Sequence, residues 1–109
     1  MRNEVISMIT GENQFTDWIA PKKLMKSGIP AYRLNLSIWS NTTSIEISIQ
    51  RTFDNGLTIL DVPTSDFETY TYTVNTEQYI EDIEEGVKYR IGCKSGNFTS
   101  GNCLVRLGA

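Results

Sequence analysis

Apolar and polar residues alternate along two central stretches of the chain, residues 31–40 and 44–53. The apolar positions share one face of each stretch and are Tyr32, Leu34, Leu36, Ile38, Ile45, Ile47 and Ile49. The opposite face of the first stretch carries Arg33 and Trp39 among polar residues. A period of two over this length predicts half-buried β-strands. Because the connection "SNTTS" is short and polar, we predict that the two strands form a hairpin.

Further segments rich in Val, Ile, Thr and Tyr are predicted strands. They cover residues 5–9, 15–19, 58–62, 69–74, 87–93 and 103–107. The segment "TEQYIEDIEEG" is predicted to be irregular, with a short helix as the alternative because Tyr79, Ile80 and Ile83 lie about one turn apart. The cluster Lys22, Lys23 and Lys26 beside a Pro and a Gly predicts an exposed loop.

Seven or eight short strands with polar turns between them predict an all-β fold, an antiparallel β-sandwich. A jelly roll is one topology compatible with this pattern, and the strand order does not follow from it. The chain has 109 residues without a linker or a change in composition, which predicts a single domain over residues 1–109.

The stretch "TFDNGLTI", residues 52–59, contains the most specific local pattern in the chain. It resembles the Asp-box hairpin of sialidase-type propellers and other β proteins, in which the motif is a structural turn remote from the active site. Asn55-Gly56 tolerates the positive φ angles that tight hairpin turns need, and Asp54 is expected to accept backbone N–H bonds in an Asx turn. Thr52 and Thr58 flank the turn. Calcium binding would need several spaced carboxylates, and Asp54 and Asp61 alone are too few.

Composition excludes several kinds of chemistry. The chain contains no histidine and two cysteines, which excludes Ser-His-Asp and Cys-His catalysis, His-ligated zinc and a Cys₄ zinc site. No glycine-rich phosphate loop is present, and the acidic run Glu81, Asp82, Glu84 and Glu85 is typical of a solvated face. We therefore predict a protein without enzymatic activity and without a cofactor or metal. A net charge of −3 argues against nucleic-acid binding, and no segment is long and apolar enough to cross a membrane.

Two cysteines flank the segment "KSGNFTSGN". If residues 87–93 and 103–107 form a hairpin around Phe98, Cys93 and Cys103 face each other within disulfide reach. They would then share the core face with Tyr89 and Val105. The alternative is a pair of buried free thiols, which we favour because the chain shows no export signal.

A longer pattern runs through the chain in order. It comprises "GENQFTDWI", "LNLSIW", "IQRTFDNGLTILDV", "YTVNTEQ" and "EEGVKYRIGCKSGNFTSGNCLVRLG". This order resembles a family of small virion proteins that tailed bacteriophages encode among their head and neck genes. The resemblance implies a non-enzymatic structural protein, made in the host cytoplasm and located in the virion. Its implied partners are capsid, neck or tail proteins, with many copies or a homo-oligomer in the assembly. Cys93 and Cys103 are not part of the family pattern.

Four residues are predicted contacts for such partners: Trp39, Arg33, Trp18 and Phe98. Trp and Arg are over-represented at interface hot spots, and Trp39 and Arg33 share the polar face of one strand. For each tryptophan the alternative is packing under a loop or in the second sheet, and for Phe98 it is simple exposure in a flexible loop. A second function hypothesis is a carbohydrate-binding β-sandwich that stacks sugars on Trp39, Trp18 or tyrosine rings. A third is a secreted immunoglobulin-like adhesion module.

Overall fold

The computed structural model describes residues 3–64 and 69–109, which form two antiparallel β-sheets. Within these residues there are nine strands: β1 (Glu4–Ile9), β2 (Gln14–Phe15), β3 (Lys22–Lys26), β4 (Ile29–Trp39), β5 (Ser48–Thr52), β6 (Leu60–Val62), β7 (Thr76–Asp82), β8 (Lys88–Cys93) and β9 (Cys103–Gly108). The prediction of an all-β antiparallel sandwich is confirmed.

Sheet A is built around the long strand β4. One edge of β4 pairs with β7, from Tyr32 opposite Asp82 to Ile38 opposite Thr76. The other edge is shared, because β3 pairs with the first half of β4 and β9 pairs with the second half. Strand β1 pairs with the outer side of β9. The order across the sheet is therefore β1-β9-β4-β7, with the β3–β4 hairpin extending beyond β9.

Sheet B has the order β2-β8-β5-β6. With β3 counted as an addition to β4, successive strands of the two sheets follow jelly-roll topology, in which the chain crosses repeatedly from one sheet to the other. The core between the sheets contains the apolar positions that the period-two pattern identified, including Leu34, Leu36 and Ile38 from sheet A and Ile47 and Ile49 from sheet B. The alternation thus placed side chains on the correct faces.

The predicted hairpin between residues 31–40 and 44–53 is wrong. Strand β4 lies in sheet A and β5 lies in sheet B, so the short connection crosses between the layers. The Asn41 side chain holds this crossing together: its Nδ2 donates to the carbonyl of Ile45 at 2.9 Å, and its Oδ1 accepts from the Ile45 N–H at 2.9 Å. Ser40 and Ser44 both have positive φ angles, which redirect the backbone on either side of Asn41.

Two other segments differ from prediction. Residues 76–82 form the regular strand β7 rather than an irregular segment or a helix, because their alternate residues meet β4 along seven paired positions. The three lysines lie in strand β3 rather than in a loop. They adopt this conformation because Ser27 and Gly28, both with positive φ, close a tight two-residue hairpin onto β4.

Three predicted strands are shorter than expected. Residues 15–19 contribute the end of β2 and then an isolated bridge from Ile19 to Tyr89. Residues 58–62 contribute β6 only from Leu60 onward. Residues 69–74 contribute one bridge, Tyr72 to Ile47. In each case the side-chain composition suits a strand, but only a few residues of the segment pair with a neighbouring strand.

Candidate functional site

The Asp-box segment forms a turn whose hydrogen bonds are satisfied internally. The Thr52 hydroxyl accepts the N–H of Gly56 at 2.7 Å and donates to Asp54 Oδ1 at 2.9 Å. The same Asp54 oxygen accepts the N–H of Thr58 at 2.7 Å. Asn55 and Gly56 have the predicted positive φ angles. An Asx turn would have placed the N–H of a residue one or two positions after Asp54 on its carboxylate. Instead, that carboxylate accepts the N–H of Thr58, and the Thr52 hydroxyl accepts those of Asp54 and Gly56.

These hydrogen bonds set the charge state of the turn. The N–H of Thr58 is the main cause that lowers the pKa of Asp54, followed by the Thr58 hydroxyl. A carboxylate whose oxygen is engaged by the turn backbone is held in its charged form. The geometry supports the predicted structural role of Thr52, Asp54, Asn55, Gly56 and Thr58.

Trp39 and Arg33 lie on the outward face of sheet A, as predicted. Trp39 is 37% exposed, and its cross-strand neighbours are Leu104 in β9 and then Met8 in β1. Ile6 lies two residues along the same face of β1. Both Ile6 and Met8 are about half exposed. These neighbouring apolar side chains therefore form a patch across β1, β9 and β4. Single exposed apolar residues are common on any protein surface, whereas a patch of several is not.

A shallow groove of about 980 Å³ runs along this face. Its lining combines Trp39 and Tyr79 with polar side chains from β4, β7 and β9, such as Asn35, Glu77 and Arg106. Arg106 Nε donates to Glu4 Oε2 at 2.5 Å at one side of the groove. Aromatic rings therefore line this groove together with amide, carboxylate and guanidinium groups.

Arg33 is held in an ion-pair network rather than presented freely. Its Nη2 lies 2.6 Å from Glu81 Oε1, and Lys26 Nζ lies 3.0 Å from Glu81 Oε2. Its guanidinium carbon also stacks 4.4 Å from the centre of the Tyr79 ring. The hydrogen bond from Arg33, and then that from Lys26, lowers the pKa of Glu81. Arg33 is therefore paired with residues of its own sheet, and only its remaining N–H groups could contact a partner.

Trp18 packs on the outer face of sheet B. The Arg90 guanidinium lies between two aromatic rings, 4.7 Å from the centre of Trp18 and 4.2 Å from that of Phe15. Arg90 Nε and Nη2 both donate to Gln50 Oε1, at 3.0 and 2.8 Å. A Cβ on Gly56 would lie 3.8 Å from Trp18 Nε1, so the indole also packs beside the Asp-box turn. Trp18 matches the predicted alternative of packing under a loop.

Phe98 is half-buried and packs against the hydrophobic core. The predicted pairing of Cys93 with Cys103 across a hairpin is wrong, because β8 lies in sheet B and β9 in sheet A. Both cysteines are fully buried free thiols in the core between the sheets. Burial is the main cause that raises the pKa of Cys103 to about 11. The prediction that they belong to the core is confirmed.

Three carboxylates of the acidic run, Glu81, Asp82 and Glu84, are engaged in ion pairs. Arg51 Nη2 lies 3.2 Å from Asp82 Oδ2 and 2.9 Å from Glu84 Oε1. The Tyr89 hydroxyl donates to Asp82 Oδ2 at 2.6 Å. Burial would raise the pKa of Asp82, but hydrogen bonds from the Tyr89 hydroxyl and the Glu84 N–H, together with the Arg51 charge, outweigh it and lower that pKa. These contacts join β5 and β8 of sheet B to β7 of sheet A.

Sequence reasoning missed a second apolar surface at one end of the sandwich. β4 begins where β7 ends, since Tyr32 pairs with Asp82, and β5 ends where β8 begins, since Thr52 pairs with Lys88. The β3–β4 turn, the Asp-box loop and the β7–β8 loop therefore share one end. The exposed large apolar side chains in these connections or in the strand residues beside them are Met25, Ile29, Phe53, Leu57, Ile59 and Ile83. We call this surface the apolar end.

The opposite end differs in character. In its described loops only Tyr70 and Val74 are exposed large apolar residues, and the rest is rich in Asn, Ser, Thr and Gly. At the apolar end, Leu57 is 89% and Ile83 is 82% exposed. Nothing in the sequence indicates that these residues share a surface, because only the topology brings the three connections together.

Over residues 3–64 and 69–109, no three His, Cys, Asp or Glu side chains come together to hold a metal ion. In the same part of the chain, no helix has the length and apolar character needed to cross a membrane. Compared with protein-family models, with curated proteins and with solved structures, the chain has no match in any of the three.

Proposed function

We propose that this chain is a non-enzymatic structural protein of a bacteriophage virion, which binds assembled capsid or portal-proximal subunits. The sequence resemblance to small head and neck proteins supports the phage context. The observation that carries the structural role is the apolar end, where three connections and the strand residues beside them expose six large apolar side chains. Large apolar side chains exposed together at one end of a folded domain favour a protein interaction site there.

The mechanism is cementing by a rigid domain. Jelly rolls are common in viral capsid proteins and also in lectins, so the fold is an analogy and the argument lies with the surface. The apolar end would insert its side chains between neighbouring subunits of the shell or neck. Burying one Leu or Ile contributes about 1.5–3 kcal/mol, and repeated copies on one assembled surface multiply a modest affinity.

The test is binding of the purified protein to intact particles, followed by electron microscopy of a density tag. Ile83→Lys replaces an apolar group of the apolar end with a charge and should weaken binding by about tenfold to a hundredfold. Val74→Lys is the matched control, since Val74 is also exposed but lies at the opposite end, and it should bind like the wild type.

The position of the tag density on the particle distinguishes a capsid decoration protein from a neck or tail component. Density repeated over the head surface indicates a decoration protein, and density at one vertex indicates a neck or tail component. Particles without any bound protein would contradict the proposal. Equal loss of binding in the Val74 and Ile83 variants would contradict the role of the apolar end.

A second candidate function uses the groove on sheet A. Trp39 stands there beside amide and charged side chains, a combination that suits stacking and hydrogen bonding to a sugar. The rings of Phe15, Trp18 and Tyr79 each have an Arg guanidinium over one face, so Trp39 is the ring best placed for this role. Binding on a glycan array that Trp39→Ala abolishes and Trp18→Ala preserves would favour this function over the first.

A further inference from the structure

Three aromatic rings of this chain are each in contact with an arginine side chain. The Arg33 guanidinium lies 4.4 Å from the centre of the Tyr79 ring, and the Arg90 guanidinium contacts two rings on sheet B. Trp39 lies on the same outward face as Tyr79, and its ring has no cation over it in the part of the chain that the structure describes. Trp39 thus presents a ring face on which a cation from outside the chain can stack.

The contact at Tyr79 includes a carboxylate as well as the ring. Glu81 lies two positions along β7 from Tyr79 and therefore on the same face. Arg33 Nη2 lies 2.6 Å from Glu81 Oε1 while the guanidinium stacks on the tyrosine. The ring contacts the flat face of the guanidinium, and the carboxylate accepts from its N–H groups. Stacking and an ion pair therefore hold the same cation.

A second pair of a ring and a carboxylate lies on the same face without a cation. Glu77 is opposite Ser37, so Trp39 and Glu77 are diagonal neighbours across β4 and β7. Such neighbours lie about 7–8 Å apart, within reach of aromatic and long side chains, and both residues line the groove on sheet A. Unlike Glu81, Glu77 makes no ion pair with any side chain that the structure describes. We call the Trp39 ring and the Glu77 carboxylate the Trp39 site.

Arg106 lies in the same row across the sheet as Glu77, but its guanidinium is directed away from the Trp39 site. The guanidinium lies over Gly108, where a Cβ atom would collide with it. Its Nε donates to Glu4, which is opposite Gly108 in β1. Gly108 is on the side of Arg106 that faces away from the strand residue paired with Trp39. Arg106 therefore leaves the ring and the Glu77 carboxylate open to a cation from a partner.

We propose that the Trp39 site binds an arginine side chain of a partner protein, on a surface separate from the apolar end. The guanidinium stacks on the exposed face of the Trp39 ring, and its N–H groups donate to the Glu77 carboxylate. The aliphatic part of the arginine lies against Met8 and Leu104, the apolar neighbours of Trp39. The partner thus supplies the cation that the chain itself supplies at Tyr79.

Charge and shape favour arginine over other occupants of the groove. A guanidinium is planar, stacks on aromatic rings and presents several N–H donors to a carboxylate, whereas an ammonium group is compact and strongly hydrated. The net charge of −3 adds a general attraction for a cationic partner. A neutral sugar would use the ring and the amides of the groove but would not neutralise Glu77. A sugar is therefore the alternative occupant that the experiment has to separate from arginine.

The test is an NMR titration of the two indole N–H signals with the peptide acetyl-Leu-Arg-Leu-amide, up to tens of millimolar. A peptide with citrulline in place of arginine has nearly the same shape without the charge. An exposed cation–π contact and a surface ion pair together should favour the arginine peptide by about tenfold in Kd. We expect the Trp39 signal to shift and the Trp18 signal to stay, because Trp18 already has Arg90 over its ring. Trp18→Phe assigns the two signals.

Two variants divide the preference for arginine between its two sources. Glu77→Gln removes the carboxylate charge and nearly keeps the shape, and Trp39→Leu removes the ring. Each should reduce the preference to about threefold, and the double variant should bind the two peptides equally. Backbone amide signals of β4 report binding where the indole is absent. Glu85→Gln is the matched control, because Glu85 is an exposed carboxylate in the β7–β8 loop, and it should keep the wild-type preference.

Equal affinity of the wild type for the arginine and citrulline peptides would overturn the inference. So would a shift confined to Trp18, or no shift at the highest peptide concentration. A glycan that shifts the Trp39 signal while the arginine peptide does not would overturn it as well, and would assign the groove to a sugar. Because these measurements use the isolated protein without particles, their outcome is separate from that of particle binding.

Discussion

Replacing Thr52 with valine removes one hydroxyl from a position that is 1% exposed and leaves nearly the same side-chain shape. The hydroxyl accepts the N–H of Gly56 and donates to the carboxylate of Asp54. A hydrogen bond contributes about 1 kcal/mol net, and an N–H left without a partner costs about 1–3 kcal/mol. We expect Thr52→Val to lower the free energy of unfolding by about 2 kcal/mol.

The matched control is Thr52→Ser, which keeps the hydroxyl and removes one methyl group. Its cost should be near 0.8 kcal/mol, roughly the value of one buried methylene-sized group. The assay is urea unfolding followed by fluorescence of Trp18 and Trp39, with the midpoint compared at constant m value. For a domain near 100 residues, the valine variant should also melt about 10 °C lower. A serine variant as unstable as the valine variant would refute the hydrogen-bond account of this turn.

Two further predictions concern titratable groups. Burial would raise the pKa of Asp61, but hydrogen bonds from Lys94 and Gln50 outweigh it and lower that pKa; its stabilising contribution is therefore present above about pH 5 and lost as the pH falls through the folded-state pKa. Asp61→Asn should flatten the acid side of a plot of urea midpoint against pH, and an unchanged slope would contradict this. With a pKa of about 11, Cys103 should have roughly one thiol in a thousand ionised at pH 8. A thiol reagent should modify it slowly in native protein and rapidly in urea, and equal rates would contradict the burial.

Local sequence patterns were sufficient to assign many side chains to a face. The alternation of Leu34, Leu36 and Ile38 identified core positions because side chains of a strand point to opposite faces at every second residue. The Asp-box turn followed from Asn55-Gly56, since few residue pairs tolerate positive φ at adjacent positions. The absence of histidine from the chain excludes imidazole chemistry on composition alone.

Strand pairing could not be read from the same patterns. A short polar connection predicts a hairpin, yet the segment around Asn41 crosses between sheets, because an Asn side chain can replace the hydrogen bonds of the missing ladder. Strand β7 looked irregular in the sequence, and its conformation depends on the edge that β4 offers to it. The contacts that pair two strands join residues that are distant along the chain. The composition of one segment therefore predicts little about which strand it pairs with.

The candidate interaction surfaces show the same difference between what local patterns predict and what strand pairing decides. Alternation and turn composition were enough to predict a β protein with a structural turn at residues 52–58, and a shared outward face for Trp39 and Arg33. The packing of Trp18 and Phe98, the pairing of Arg33 with Glu81 and the exposure of apolar residues at one end of the sandwich became visible in the folded chain. Periodicity reports the direction of a side chain relative to its own strand, whereas an interaction surface depends on which strands and loops the topology brings together.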